Sequence, residues 1–234
     1  MKKKIGLALV ILLLAQALAA CAQNQAAGQE NGFRFLQAER IRQADLDYIH
    51  KQGVYMSEDA ADYFDDTMCL YVLVLIRTMT WEAAEQGLGI SREEARALAE
   101  EHYAEAEAAG RAGKSTGEEV YQQPEYWQWL QDYMQRADMS PEEWYEYNGV
   151  TIQFEAAYKP LYEQVVAELP PEQQADPWAQ GAAWTAYQLE LAEKYKDRLV
   201  EEDLQPLLET TMEKMAEGTI GTVDSSTGTG QGNS

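Results

Sequence analysis

Met68-Cys69-Leu70-Tyr71-Val72-Leu73-Val74-Leu75-Ile76 is nine apolar residues in a row, and its reading decides the fold. Taken alone, Tyr71 to Ile76 suits a buried strand. Neither Asp59–Asp66 before the run nor Thr78–Glu85 after it holds a Gly or Pro. Length therefore favours a single long helix, capped at Ser57 and running to Gln86. A helix apolar on every side must be covered on every side, so it is expected at the centre of the domain. With Asp66 and Arg77 close on its flanks, the run is too short for a bilayer span of about 20 residues.

Helix punctuation continues outward from this centre. Phe33 to Lys51 predicts a first helix. Gly87-Leu88-Gly89 closes the central one, and Ser91-Arg92-Glu93-Glu94 is a capping box for the next. Gly110 to Gly117 reads as a loop, and Pro124 starts another helix. Ser140-Pro141-Glu142-Glu143 is a second capping box, with Pro at the first helical position. Asn148-Gly149 is expected to interrupt that helix before it resumes towards Pro170-Pro171. Asp176-Pro177 opens a further helix, and Glu202 to Glu217 forms the last, bent near Pro206. The expected fold class is all-α, an irregular multi-helix bundle around a central apolar helix.

The N-terminus is of another kind. Lys2, Lys3 and Lys4 precede an uncharged apolar stretch from Ile5 to Ala20, the pattern of a secretory signal. It ends in Leu18-Ala19-Ala20-Cys21, which resembles the lipobox of bacterial lipoproteins. That resemblance implies a signal peptide over residues 1–20 and a diacylated Cys21 as the mature N-terminus. It places the protein on the extracytoplasmic face of a bacterial cell membrane, held by lipid. Residues 21–32 are polar and small, a flexible tether with a reach on the order of 20 Å. Residues 33–217 form the folded part, and 218–234 read as a disordered Gly/Ser/Thr tail.

The chain has 234 residues, 18 basic and 40 acidic, for a net charge of −22. Loss of the signal leaves 15 basic residues and a net of −25. Such a balance argues against nucleic acid as a partner, because phosphates are met by Lys and Arg. It suits a solvated surface, or one that captures cationic polypeptides. With Cys21 as the lipid site, Cys69 has no intramolecular partner and reads as a buried, inert thiol.

From Leu73 to Leu169 the order of features resembles a known family. An apolar helix ends in Trp81-Glu82-Ala83-Ala84-Glu85-Gln86-Gly87-Leu88-Gly89-Ile90, and Ser91-Arg92-Glu93-Glu94-Ala95 follows directly. Met139-Ser140-Pro141-Glu142-Glu143-Trp144-Tyr145 then steps into another helix. This is similar to the SurA-type N-terminal chaperone domain of extracytoplasmic parvulin prolyl isomerases and their lipoprotein relatives. No parvulin-like segment follows Leu169. The resemblance therefore implies client or peptide binding without prolyl isomerase activity.

Catalytic and metal patterns are sparse. His50 and His102 are the only histidines, and His102 is expected on a solvated helix face among Glu100, Glu101 and Glu105. No nucleophile motif, zinc spacing or phosphate loop occurs, so no catalytic residue, metal ligand or cofactor is expected. Asp59, Asp62 and Asp66 have helical spacing but lack a calcium loop's glycine. Two carboxylates acting on a wall or glycan substrate are a further alternative, with no pair singled out. Aromatic residues are the one suggestive cluster. Trp127 and Trp129 stand about 200° apart on a helix, so they face different sides. Tyr126, Trp127, Trp129, Tyr133 and Trp144 are candidates for a peptide-binding groove, with most of the cluster expected in the core. The competing expectation is an envelope scaffold that binds a folded partner or the cell wall.

Overall fold

The computed structural model describes residues 35–56 and 64–220, with backbone alone over 52–56. Cys21, the signal, the tether, Ser57, Asp59, Asp62 and residues 221–234 lie outside the described residues. Among the described residues there are seven α-helices: α1 Gln43–Met56, α2 Asp66–Glu85, α3 Arg92–Ala112, α4 Pro124–Ala137, α5 Pro141–Ala167, α6 Pro177–Leu199 and α7 Gln205–Glu217. Short 3-10 turns at Val120–Gln122 and Glu202–Leu204 precede α4 and α7. Among the described residues the only β-type pairing is a parallel bridge between Ile41 and Val200. The all-α expectation is met.

The apolar run is helical and central. Helix α2 packs against α1, α5, α6 and α7. Leu70, Leu73 and Val74 are wholly buried, and Cys69 with them. By length and composition the 20-residue helix could cross a membrane, contrary to the expectation that it is too short. Burial gives it a different place: 72% of its most apolar window lies inside the protein. The helix also begins at Asp66 rather than near Ser57. Asp65 caps it, its carboxylate accepting the Met68 N–H at 2.8 Å, and aspartate is more stable there than within a helix.

Helix α5 joins two layers. One face meets α2, and the other carries α3, which in turn holds α4. Both capping boxes form as read. Ser91 pairs reciprocally with Glu94, and Ser140 with Glu143. Pro124, Pro141 and Pro177 each occupy a first turn, where a missing N–H costs nothing. Pro206 likewise sits in the first turn of α7, where the segment passes from the 3-10 turn Glu202–Leu204 into the α-helix.

Two stretches differ from expectation. Helix α5 runs unbroken through Asn148-Gly149. Gly149 is buried against α3, where a Cβ would lie 3.2 Å from the Arg96 backbone, so the glycine serves close packing of two helices. The first helix starts at Gln43, not Phe33. Residues 35–42 instead form an irregular strap that buries Phe35, Leu36 and Ile41. Backbone bonds Ile41 N–H to Leu199 O (2.8 Å) and Glu201 N–H to Ile41 O (3.0 Å) fasten the strap's far end.

Candidate functional site

Helices α2 and α5 end side by side against the middle of α6. Between them lies a cleft of about 540 Å³, lined by Glu82, Gln86, Gln164, Val165, Ala167, Glu168 and Tyr187. Gln86 is the C-cap of α2 and Glu168 the C-cap of α5. Each helix C-terminus carries up to roughly half a negative charge, although the carbonyls of Ala83 and Ala84 on α2 and of Val166 and Ala167 on α5 already accept hydrogen bonds. Two such ends and the exposed Glu168 carboxylate therefore face one space, beside a Glu82 carboxylate already paired with Lys194, which favours a cation. Val165 and the Tyr187 ring add apolar surface that suits the methylene stem of a lysine or arginine.

The inner wall is held rigidly. Glu82 is 7% exposed. Its carboxylate accepts from Tyr195 Oη at 2.7 Å, from Gln86 Nε2 at 2.7 Å and from Lys194 Nζ. Burial pushes the Glu82 carboxyl upward, but the hydrogen bonds from Lys194, Gln86 and Tyr195 prevail and hold it below its ordinary range. It is thus an ionised anchor and poorly suited to be a general acid. Lys194 also donates to Glu85 at 2.9 Å. Arg198 donates to Glu85 at 3.2 Å and stacks over Trp81 and Tyr195, 4.4 and 4.6 Å from the ring centroids. These contacts join α2 to α6 and leave Glu168 as the exposed acid of the cleft.

The candidate aromatic residues lie elsewhere, four of them in one chain of ring contacts and Trp127 on another side of the helix. Tyr133 and Trp144 are each 1% exposed and pack edge to face at 5.3 Å, so neither can meet a client directly. Their ring area is worth more buried between α4 and α5 than left in water. Trp129 stacks on Tyr133 at 5.4 Å, and Tyr126 leans on Trp129 at 5.3 Å. Burial drives the Tyr126 hydroxyl to about 12. Trp127 faces the other way, against Tyr103 and the backbone of Gly110, in keeping with the helical offset between positions 127 and 129.

The remaining candidates take structural places. His102 is not solvated but half-buried, stacked on Tyr121 at 3.9 Å. Burial lowers its pKa, against the opposing pull of Glu105, Glu101 and Glu119. The His50 ring bonds the Phe64 carbonyl at 2.7 Å. Cys69 is fully buried, and burial beside Asp66 and Asp65 pushes its thiol up to about 12. Among the described residues no group of three or more His, Cys, Asp or Glu gathers in a way that could hold a metal ion. The cleft itself escaped sequence reading, because its walls come from positions 82–86, 164–168 and 187. The one available signal was the acids near two helix ends, Glu82 and Glu168. No protein-family model, curated protein or solved structure matches the chain.

Proposed function

We propose that this is a membrane-tethered, extracytoplasmic lipoprotein that binds unfolded or cationic polypeptides and works without catalysis. The observation that carries the reading is the acidic cleft at the paired C-termini of α2 and α5. Its chemistry suits a lysine or arginine side chain: the Glu168 carboxylate and the negative helix ends for the charged head, Tyr187 and Val165 for the stem. The acidic balance of the mature chain adds long-range attraction for basic segments. Diacylation of Cys21 would hold this surface near the membrane, where chains newly exported would pass.

Two measurements test it. A basic, aromatic-rich unfolded client should be kept from aggregating by the protein, as followed by light scattering. Glu168→Gln combined with Tyr187→Ala should weaken that protection, and added salt should do the same, since exposed charges are screened within about 10 Å at 0.1 M. Equal protection by the double variant and the wild type counts against the cleft; no protection at all counts against client binding. Cys21→Ser should move the protein from the membrane to the soluble fraction.

The closed packing of Tyr133 and Trp144 favours a second reading, an envelope scaffold that binds a folded partner. Its signature is one stoichiometric partner after crosslinking in cells.

A further inference from the structure

The strap at residues 35–42 is bound as a peptide ligand would be. Its backbone is held largely by side chains of the domain. Arg92 on α3 donates to the Leu36 carbonyl at 2.9 Å and to the Phe35 carbonyl at 3.2 Å. Arg77 on α2 donates to the Ala38 carbonyl. Asp45, 1% exposed, accepts the Leu36 N–H at 3.1 Å and the Arg42 N–H at 3.0 Å. The bridge to Val200 adds strand-like pairing at Ile41. These contacts read main chain; the strap adds side-chain contacts of its own, from Arg42 to Asp45 at 3.1 Å and from Arg40 to the Val200 carbonyl at 3.3 Å.

The side chains fill apolar seats. Phe35 packs on Tyr48 at 4.5 Å and on Tyr147 at 6.1 Å. Leu36 and Ile41 are 2% and 0% exposed. Arg77 faces no carboxylate within ion-pair distance among the described residues, and burial lowers its guanidinium to about 10. A desolvated cation that spends its charge on a carbonyl marks a site built to hold backbone. Leu36 also has φ +51°, a left-handed conformation that costs a non-glycine residue energy. The strap is therefore seated at some strain.

We infer that the groove formed by Arg77, Arg92, Asp45, Tyr48, Tyr147 and the Leu199–Glu201 backbone is a peptide-binding site, occupied in cis by the strap and open in exchange to an apolar segment of another polypeptide that can adopt the same turned conformation. The occupant it fits has an aromatic residue, an aliphatic residue directly after it and a second aliphatic residue five positions further on. This stands apart from the acidic cleft: Leu199 lies roughly 18 Å along α6 from Tyr187, and the groove seats apolar side chains at positions 35, 36 and 41, with Arg42 of the strap paired to Asp45 at 3.1 Å and Arg40 on the Val200 carbonyl at 3.3 Å.

A labelled peptide of residues 33–42, Phe-Arg-Phe-Leu-Gln-Ala-Glu-Arg-Ile-Arg, tests the exchange on the full chain. Weakening the strap with Phe35→Ala and Ile41→Ala should tighten peptide binding at least tenfold over the wild type, by fluorescence anisotropy. A peptide with Ser at positions 35, 36 and 41 should not bind, and Arg92→Ala in the weakened chain should remove the gain. Equal binding by wild type and weakened chain, with helix content retained, overturns the inference. So does equal binding of the serine peptide. If the weakened chain does not fold, hydrogen exchange on the wild type decides. The Leu36 and Ile41 amides should exchange at least a hundredfold faster than that of Leu73. Exchange at the Leu73 rate would mean the strap leaves only on global unfolding and would end the proposal.

Discussion

The Tyr195 hydroxyl on α6 donates to the Glu82 carboxylate on α2 at 2.7 Å, joining residues far apart in the chain at the edge of the cleft. Lys194 and Gln86 complete the shell around that carboxylate. The folded carboxyl holds its proton less tightly than the unfolded one, whose ordinary value is 4.5. Its stabilising effect is therefore complete above about pH 4.5 and is lost as pH falls through the lower folded value. Urea midpoints should drop on acidification below that point. Glu82→Gln should make the drop shallower without abolishing it, because Glu85 and Glu94 are also held low.

Gly149 should resist substitution despite its helical setting. Glycine to alanine inside a helix gains about 1 kcal/mol of propensity. Here the new Cβ would stand 3.2 Å from both Arg96 Cα and Arg96 N, backbone that cannot swing aside. Overpacking costs about 1–3 kcal/mol and outweighs the gain. Gly149→Ala should lower stability by about 1 kcal/mol and Gly149→Val by more, in denaturant titrations.

Trp184 is fully buried on α6, edge-on to Tyr158 at 5.0 Å and Tyr162 at 5.3 Å. Trp184→Ala should cost about 3–5 kcal/mol through lost contact and the cavity left behind. Trp178, 59% exposed on the first turn of the same helix, is the matched control. Its replacement by Ala should change stability by under about 0.5 kcal/mol.

Cys69 should be silent to thiol reagents in the folded chain. Its thiol is buried and titrates near 12, so little thiolate exists at neutral pH. In a chain with Cys21→Ser, labelling by a disulfide reagent should follow the unfolded fraction as urea is raised. Rapid labelling without urea would contradict the burial.

The exposed caps give a finer test. Ser91→Ala and Ser140→Ala should each cost about 1 kcal/mol by freeing helix N–H groups. The two losses should add, since the boxes share no partner.

Local chemistry was legible from the chain alone. Ser91 with Glu94, Ser140 with Glu143, and Pro at positions 124, 141 and 177 announce helix starts, because a cap is completed within one turn. The run from Met68 to Ile76 declared a central helix, because an all-apolar surface must be covered. Wherever a residue's role depends on a distant partner, the tertiary structure decided. Gly149 looks the same in sequence whether it breaks a helix or admits a neighbour, and only the approach of Arg96 separates the two. Phe35 and Leu36 suit a helix as well as a strap until Arg92 takes their carbonyls. Glu82, Glu168 and Tyr187 become one cleft only when α2, α5 and α6 converge. Caps and hydrophobic periodicity act over a few residues, whereas sites and close contacts arise from helices packed together across a hundred positions.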